Sequence, residues 1–367
     1  MRAAHIFHHN DLDGIMSAAV FYEYVKYKEK KYRRCKFYMI DYIKQIDLSE
    51  IHEGDMIVFL DYSFSNAHNL EELKKAIDSK KYKIIWIDHH KTSLDVIDND
   101  LEQIGHFDGH MDDFYYWIED LYCATKLTYY WCMASATDTS IDSIFNSPVP
   151  EIIDYTNDHD LWKHKLYKTE EFVLGFSAEN YRSKDIFAAI LRRSIVDTYN
   201  SNLFRLMVNE GLDAVQPLMV SFVEKCIHNG EIIKKYNEVQ YKRMLAGMSF
   251  EFTIKDEIND ISYRCIAMNT GGNSSVFLDK YDEYDAVCLF TYNNIGIFKY
   301  SMFSKNKIID LSVLCKCLSE FNKGSMGGGG HLQSAGFQHN ELLVTPNCEI
   351  IFKKNLIGKE YVTIKKK

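Results

Sequence analysis

The sequence has no apolar run approaching the ~20 residues that a helix needs to cross a bilayer, and its opening segment, MRAAHIFHHND, carries one arginine and no long apolar core of a leader peptide. It also has no C-x-x-C pair: the nine cysteines are scattered, with Cys315 and Cys317 nearest one another. That excludes the common paired-thiolate zinc modules and reads as reduced thiols of a cytoplasmic protein. Positive charge is scarce. The net charge is −9, and residues 92–125 contain no lysine or arginine while holding Asp95, Asp98, Asp100, Glu102, Asp108, Asp112, Asp113, Glu119 and Asp120. A protein that grips long nucleic acid through many phosphates usually carries a basic stripe; the acid-rich 92–125 segment instead disfavours long polyanions, and no long nucleic acid is expected as a partner. A solvated acidic loop is the plain reading of 92–125.

At 367 residues with 46% hydrophobic content, the chain is long enough for two domains with real cores. AAHIFHH, KFYMIDY, DMIVFLDY and YKIIWIDHH read as strands, and two of them are near-continuous apolar runs. Helical spacing in GIMSAAVFYEYVKYKEKK, NAHNLEELKKAIDSK and DLYCATKLTYYWCMAS alternates with them, which predicts a parallel sheet covered on both faces. PEIIDYTNDHDLW reads as a helix running into an acidic loop after residue 157. Residues 184–244 are helical in pattern, and shorter strand-like runs follow: MSFEFTI, YRCIAMN, YDAVCLFTY and IGIFKYSMF. The expected division is 1–185, 186–246 and 247–367.

The groups that could carry chemistry are His9 with Asp11 and Asp13, then Asp61, the triplet Asp88-His89-His90, and the acidic set Asp158-His159-Asp160. Most follow predicted strands, and an open parallel sheet binds ligands beyond its strand C-termini. Each piece has a bland alternative; D-L-D-G alone is an ordinary turn and helix cap. Gathered together, so many carboxylates need a cation or protons to coexist. Mixed imidazole and carboxylate donors suit manganese, iron or zinc better than Mg²⁺ or Ca²⁺, and two ions could share a carboxylate. In the second half, four glycines, 327–330, precede His331 and form a loop bare enough to approach an anion. NTGGNSS, beginning at Asn269, is a second small polar loop, equally readable as an ordinary turn.

Together these motifs resemble the DHH phosphoesterase superfamily. HHNDLDG is similar to its first motif, FLDYS to its second, Asp88-His89-His90 to the naming triplet and NDHDLW to its fourth; GGGGHLQSAGF resembles the signature of the DHH-associated C-terminal domain. The first and fourth motifs read most like the oligoribonuclease NrnB-like (nanoRNase) branch.

The resemblance implies an α/β fold, with a parallel-sheet DHH domain joined by a helical linker to a smaller mixed-sheet α/β domain and the active site in the cleft between them. It implies two Mn²⁺ ions, with Mg²⁺ or Co²⁺ as substitutes. One would be held by His9, Asp11 and Asp61, the other by Asp13, Asp61, His89 and Asp158. His90 would touch the scissile phosphate or protonate the leaving group, and Asp88 would orient a ligand. His8 for His9, and Asp160 for Asp158, stay open. Gly328, Gly329, Gly330 and His331 would hold the substrate, with Asn269 beside them. Many relatives carry Ser-x-Arg-Ser where this chain has Ser301-Met302-Phe303-Ser304; Arg264, Lys305 or Lys307 would have to replace that arginine.

The expected activity is hydrolysis of short RNA or DNA oligonucleotides or linear dinucleotides to mononucleotides, by a protein that is not membrane-bound and is compatible with homo-oligomerisation. The alternatives are a cyclic-nucleotide or cyclic-dinucleotide phosphodiesterase, a nucleotide bisphosphate phosphatase, and a catalytically silent nucleotide sensor or scaffold.

Overall fold

The computed structural model describes residues 2–41, 45–64, 66–98, 114–191, 202–271, 283–304, 309–323, 327–330, 332–354 and 358–366. The chain forms two compact units, Met1–Lys234 and Lys235–Lys367.

In the first unit the strands are β1 (Ala3–His9), β2 (Arg34–Ile40), β3 (Met56–Leu60), β4 (Lys83–Asp88) and β5 (Phe114–Ile118). They form one all-parallel sheet in the order β2-β1-β3-β4-β5. The helices are α1 (Leu12–Tyr27), α2 (Ala67–Ser79), α3 (Lys91–Val96), α4 (Ala124–Thr137), α5 (Ile141–Ile144), α6 (Glu151–Asp160), α7 (Thr169–Glu179), α8 (Ser183–Leu191) and α9 (Leu203–Glu210); α10 (Gln216–Met248) begins in this unit and ends in the second.

The sheet is buried on both faces, which is why its strands read as apolar runs rather than alternating ones. Alternate residues divide between two cores. Ile6, Val58, Leu60, Ile85 and Ile87 join the core containing the buried faces of α1, α4 and α6, while Phe7, Ile57, Phe59, Ile84 and Trp86 join a second containing Leu73, Ala76 and Val96. The chain order doubles back between β1 and β3, so the loops leaving those strands flank the crevice where such sheets bind ligands.

Two helical glycines are fixed by packing. A Cβ on Gly230 of α10 would lie 1.7 Å from the carbonyl oxygen of Glu171, and one on Gly175 of α7 would lie 1.8 Å from that of Cys226. In an exposed helix, glycine to alanine gains up to ~1 kcal/mol. Here Gly230→Ala is expected to reverse that sign and cost about 2–3 kcal/mol by prising α7 from α10, read as a lower urea midpoint.

The second unit holds β6 (Ser249–Asp256), β7 (Ile261–Asn269), β8 (Ala286–Tyr292), β9 (Phe298–Ser304), α11 (Leu311–Ser319), β10 (Gly328–Gly330), β11 (Ser334–His339), β12 (Glu349–Lys354) and β13 (Glu360–Lys365). Its mixed sheet runs β10-β11-β9-β8-β7-β6-β12-β13, with parallel pairs at β7–β8 and β6–β12. Leu311, Leu314, Cys315 and Leu318 of α11 pack into its core with Met302, Tyr300 and Ile350.

Three sequence expectations change. The glycine cluster is not a loop throughout: Gly328–Gly330 pair with Phe337, Gly336 and Ala335 as a short edge strand. The acidic set at 158–160 does not lie beyond a helix but forms the last turn of α6. The strand at β5, Phe114–Ile118, lay hidden between acidic residues and was not anticipated. No described helix is long and apolar enough to cross a membrane.

Candidate metal centre

β1 ends at His9, and the chain turns at once into α1 with Asp11 as N-cap. One Asp11 oxygen accepts the Gly14 N–H at 2.9 Å, and the other contacts His9 Nδ1 at 2.6 Å. Burial works against the Asp11 charge, but His9 and the Gly14 amide hold its carboxyl below the usual range. The turn is tight: a Cβ at Gly14 would meet the His9 carbonyl oxygen at 2.3 Å, so only glycine fits.

Asp13, one residue inside α1, is 1% exposed and reaches across to α4, where its two oxygens accept the Ala124 and Thr125 amides at 2.8 Å each. The negative charge thus sits on the positive end of a helix. The helix-cap reading of this motif holds for Asp11, while Asp13 binds the first amides of a different helix; both roles are compatible with ligation because a carboxylate has lone pairs to spare.

Asp61 follows β3 with φ of 55°, a left-handed conformation that costs an aspartate less than most residues but is still strained. Its N–H donates to the Ile87 carbonyl at 3.0 Å, which binds the turn to β4. The side chain is buried, and Oδ2 has no hydrogen-bond partner among the described residues. Burial first, then Asp11, Asp13, Asp160 and Asp88, push its carboxyl well above the ordinary range.

Asp88 ends β4, fully buried, and anchors His90: its Oδ1 lies 2.7 Å from His90 Nδ1, while its Oδ2 accepts the Ser93 hydroxyl at 2.5 Å. Burial opposes the imidazolium of His90, but Asp88 outweighs it and pushes the ring up to about 9. His89 shows the opposite balance. Burial lowers its pKa despite neighbouring carboxylates, leaving the neutral ring that metals bind. His89 Nε2 lies 3.4 Å from Asp61 Oδ1, 3.3 Å from Asp160 Oδ2 and 3.7 Å from Asp13 Oδ2.

Ligand atoms therefore converge in three groups, each within 4.8 Å: His9, Asp11 and Asp61; Asp13, His89 and Asp160; and Asp61, His89 and His90. Asp61 and His89 each belong to two of them. Burial, then the neighbouring Asp13 and Asp11, also raise the Asp160 carboxyl well above the ordinary range, and its Oδ2 is a second buried oxygen without a hydrogen bond among the described residues. Crowded carboxylates with orphaned oxygens, mixed with a neutral imidazole, fit divalent cations.

Asp158 is not in these groups. Its carboxylate turns the other way and accepts the Lys165 and Leu166 amides at 2.9 and 3.1 Å and the Thr169 hydroxyl at 2.5 Å. Two residues apart on a helix are about 200° apart around its axis, so when Asp160 faces β4, Asp158 cannot. In a loop, as the sequence suggests for this motif, no such choice exists. His8 is likewise elsewhere: it is buried in β1 like every residue of the strand before His9, with Nδ1 bonded to the His9 carbonyl at 2.8 Å.

In the second unit, Arg264 of β7 is held by Glu251 through Nε at 3.2 Å and Nη2 at 2.6 Å, with its guanidinium over the Tyr284 ring. Asn269 is exposed at the end of β7. Gly328 and Gly330 are required by packing, because a Cβ would strike the Cys315 carbonyl oxygen at 2.5 Å and Ala335 at 2.7 Å; at Gly329 it would meet open space. His331, Lys305 and Lys307, most of the NTGGNSS segment, and residues 99–113 of the acidic 92–125 stretch lie outside the described residues.

Residues 4–147 match the DHH family, N-terminal domain. The DHH match covers β1 to β5 and every ligand candidate up to His90; it stops before α6, so Asp158 and Asp160 fall beyond it. No curated protein sequence matches the chain. Among solved structures, the chain is similar to the DHH domain of a member of a family of ribosomal proteins, with 13% identity, coverage of 91% of this chain and 82% of that one, and a TM-score of 0.48. It is similar to an exonuclease RecJ bound to manganese, with 11% identity, 92% and 86% coverage and a TM-score of 0.44. RecJ from Thermus thermophilus in complex with Mn²⁺ gives 12% identity, 97% coverage of this chain, 54% of that one and a TM-score of 0.43.

Proposed function

We propose that this protein is a two-metal phosphodiesterase that hydrolyses short oligonucleotides and linear dinucleotides to mononucleotides, as in the nanoRNase branch of the DHH phosphoesterases. The observation that carries the reading is the sharing of Asp61: one buried carboxylate stands in two ligand groups at once, with an oxygen that nothing else satisfies among the described residues. His9, Asp11 and Asp61 would hold one ion; Asp61, Asp13, His89 and Asp160 the other. Bound Mn²⁺ ions would supply Lewis-acid polarisation of the phosphoryl group and activate water at neutral pH.

The protein's own part is to fix and protonate. Asp88 and Ser93 lock the His90 ring, which meets the scissile phosphate or gives its proton to the leaving oxygen. Asp13 is held rigid by two backbone amides, so one metal face is built before any ion arrives. The net charge of −9 favours small phosphate substrates over long polyanions.

The test is a Mn²⁺-supported panel of two- to five-nucleotide RNA, matching DNA, linear and cyclic dinucleotides and 3′,5′-bisphosphate nucleotides. Fastest turnover is expected on the linear di- to pentanucleotides. Preference for a cyclic dinucleotide or a bisphosphate would move the substrate class within the same chemistry. No turnover on any member, with nucleotide still bound, would make the protein a sensor.

A further inference from the structure

The turn that follows α6 carries a large aromatic side chain, Trp162, half exposed and two residues after Asp160. Of four tryptophans, Trp86, Trp117 and Trp131 are 0%, 3% and 8% exposed, whereas Trp162 is 47% exposed. Trp162 stands two residues after Asp160 with φ of 50°, a conformation a bulky residue keeps only when its surroundings impose it.

Those surroundings are built by Asp158. Its carbonyl oxygen accepts the Lys163 and His164 amides at 2.9 and 3.3 Å, and its carboxylate fixes residues 165, 166 and 169. The Trp162 amide donates to the His159 carbonyl at 2.9 Å. The indole clusters with two imidazoles, 6.2 Å from His159 and 5.3 Å from His164 between ring centroids. His159 Nδ1 and His164 Nε2 are buried without a hydrogen-bond partner among the described residues.

We propose that Trp162 is the stacking platform for a nucleobase of the substrate, and that Asp158 is the positioning residue that presents it. This rests on the phosphodiesterase reading and sharpens it: the substrate class is phosphoesters carrying a base, and bare sugar phosphates or pyrophosphate are excluded. A single exposed apolar side chain is ordinary on a protein surface. A strained turn, held by the buried Asp158 carboxylate and leaving an indole exposed two residues after Asp160, spends folding stability on an exposed ring. That pattern marks function. A base is the flat π partner that a nucleotide brings, and stacking tolerates any of the four.

Because the other tryptophans are buried, exposed-indole emission reports Trp162. In the full-length protein with Mg²⁺, adenosine monophosphate is expected to quench that emission saturably and ribose 5-phosphate is not; Trp162→Phe removes the signal. In a Mn²⁺ assay on a linear diadenylate, Trp162→Ala is expected to raise KM at least tenfold, Trp162→Phe to recover most of it, and the metal-induced rise in Tm to survive both. Asp158→Asn should raise KM in the same direction. Base-specific quenching without hydrolysis of any dinucleotide sustains the platform and removes the phosphodiesterase reading. Hydrolysis with neither quenching nor a KM change in Trp162→Ala overturns the platform alone.

Discussion

Asp61→Asn is expected to lower turnover of a short oligonucleotide by about 10³-fold or more, because the one carboxylate common to both ion sites is lost and several kcal/mol of transition-state stabilisation go with it. The same variant should be more stable than the parent when no metal is present. Its buried carboxyl is pushed far from its ordinary range by burial and four neighbouring aspartates, and asparagine keeps the shape, tolerates φ of 55° and removes the repulsion. Differential scanning calorimetry with and without Mn²⁺ separates the two effects. The parent should gain about 2.7 kcal/mol at a hundredfold excess over Kd, and Asp61→Asn should gain almost none. Full activity in the variant, or an equal metal-induced gain, would remove Asp61 from the centre.

The second large effect divides two aspartates that the sequence cannot tell apart. Asp160→Asn is expected to weaken metal binding at least tenfold, followed by isothermal titration with Mn²⁺, with little loss of folding stability, since the Asp160 Oδ2 has no hydrogen bond to lose among the described residues. Asp158→Asn should do the reverse. Its carboxylate satisfies two backbone amides and a hydroxyl, so an amide nitrogen in place of one oxygen faces a donor with a donor, costing about 2–3 kcal/mol in urea unfolding while Mn²⁺ affinity holds. Loss of Mn²⁺ affinity in Asp158→Asn with none in Asp160→Asn would restore the assignment made from the motif alone.

Much of this protein was legible in the chain itself. MIVFL and KIIWID could only be strands buried on both faces, because nothing in them alternates, and the helical spacing between them required a parallel sheet. From parallel order alone it follows that His9, Asp61 and Asp88-His89-His90 leave the sheet at the same end, and the structure gathers them there.

What only tertiary structure decided is which of two near neighbours points into the groups of candidate ligand atoms. That His9 and not His8 stands in a group of candidate ligand atoms depends on which side each leaves β1 by and on His9 ending the strand, a period-two matter that two adjacent histidines leave undetermined. That Asp160 and not Asp158 faces Asp13 and His89 depends on the rotation of α6 about its axis, which is set by Ile152 and Ile153 seating in the core and not by the motif. The strand character of Gly328–Gly330 comes from pairing with β11, and the shielding of Trp86, Trp117 and Trp131 while Trp162 stays in water comes from which faces happen to meet. Residue type and spacing fix which groups can do chemistry. Only packing fixes which way each one points.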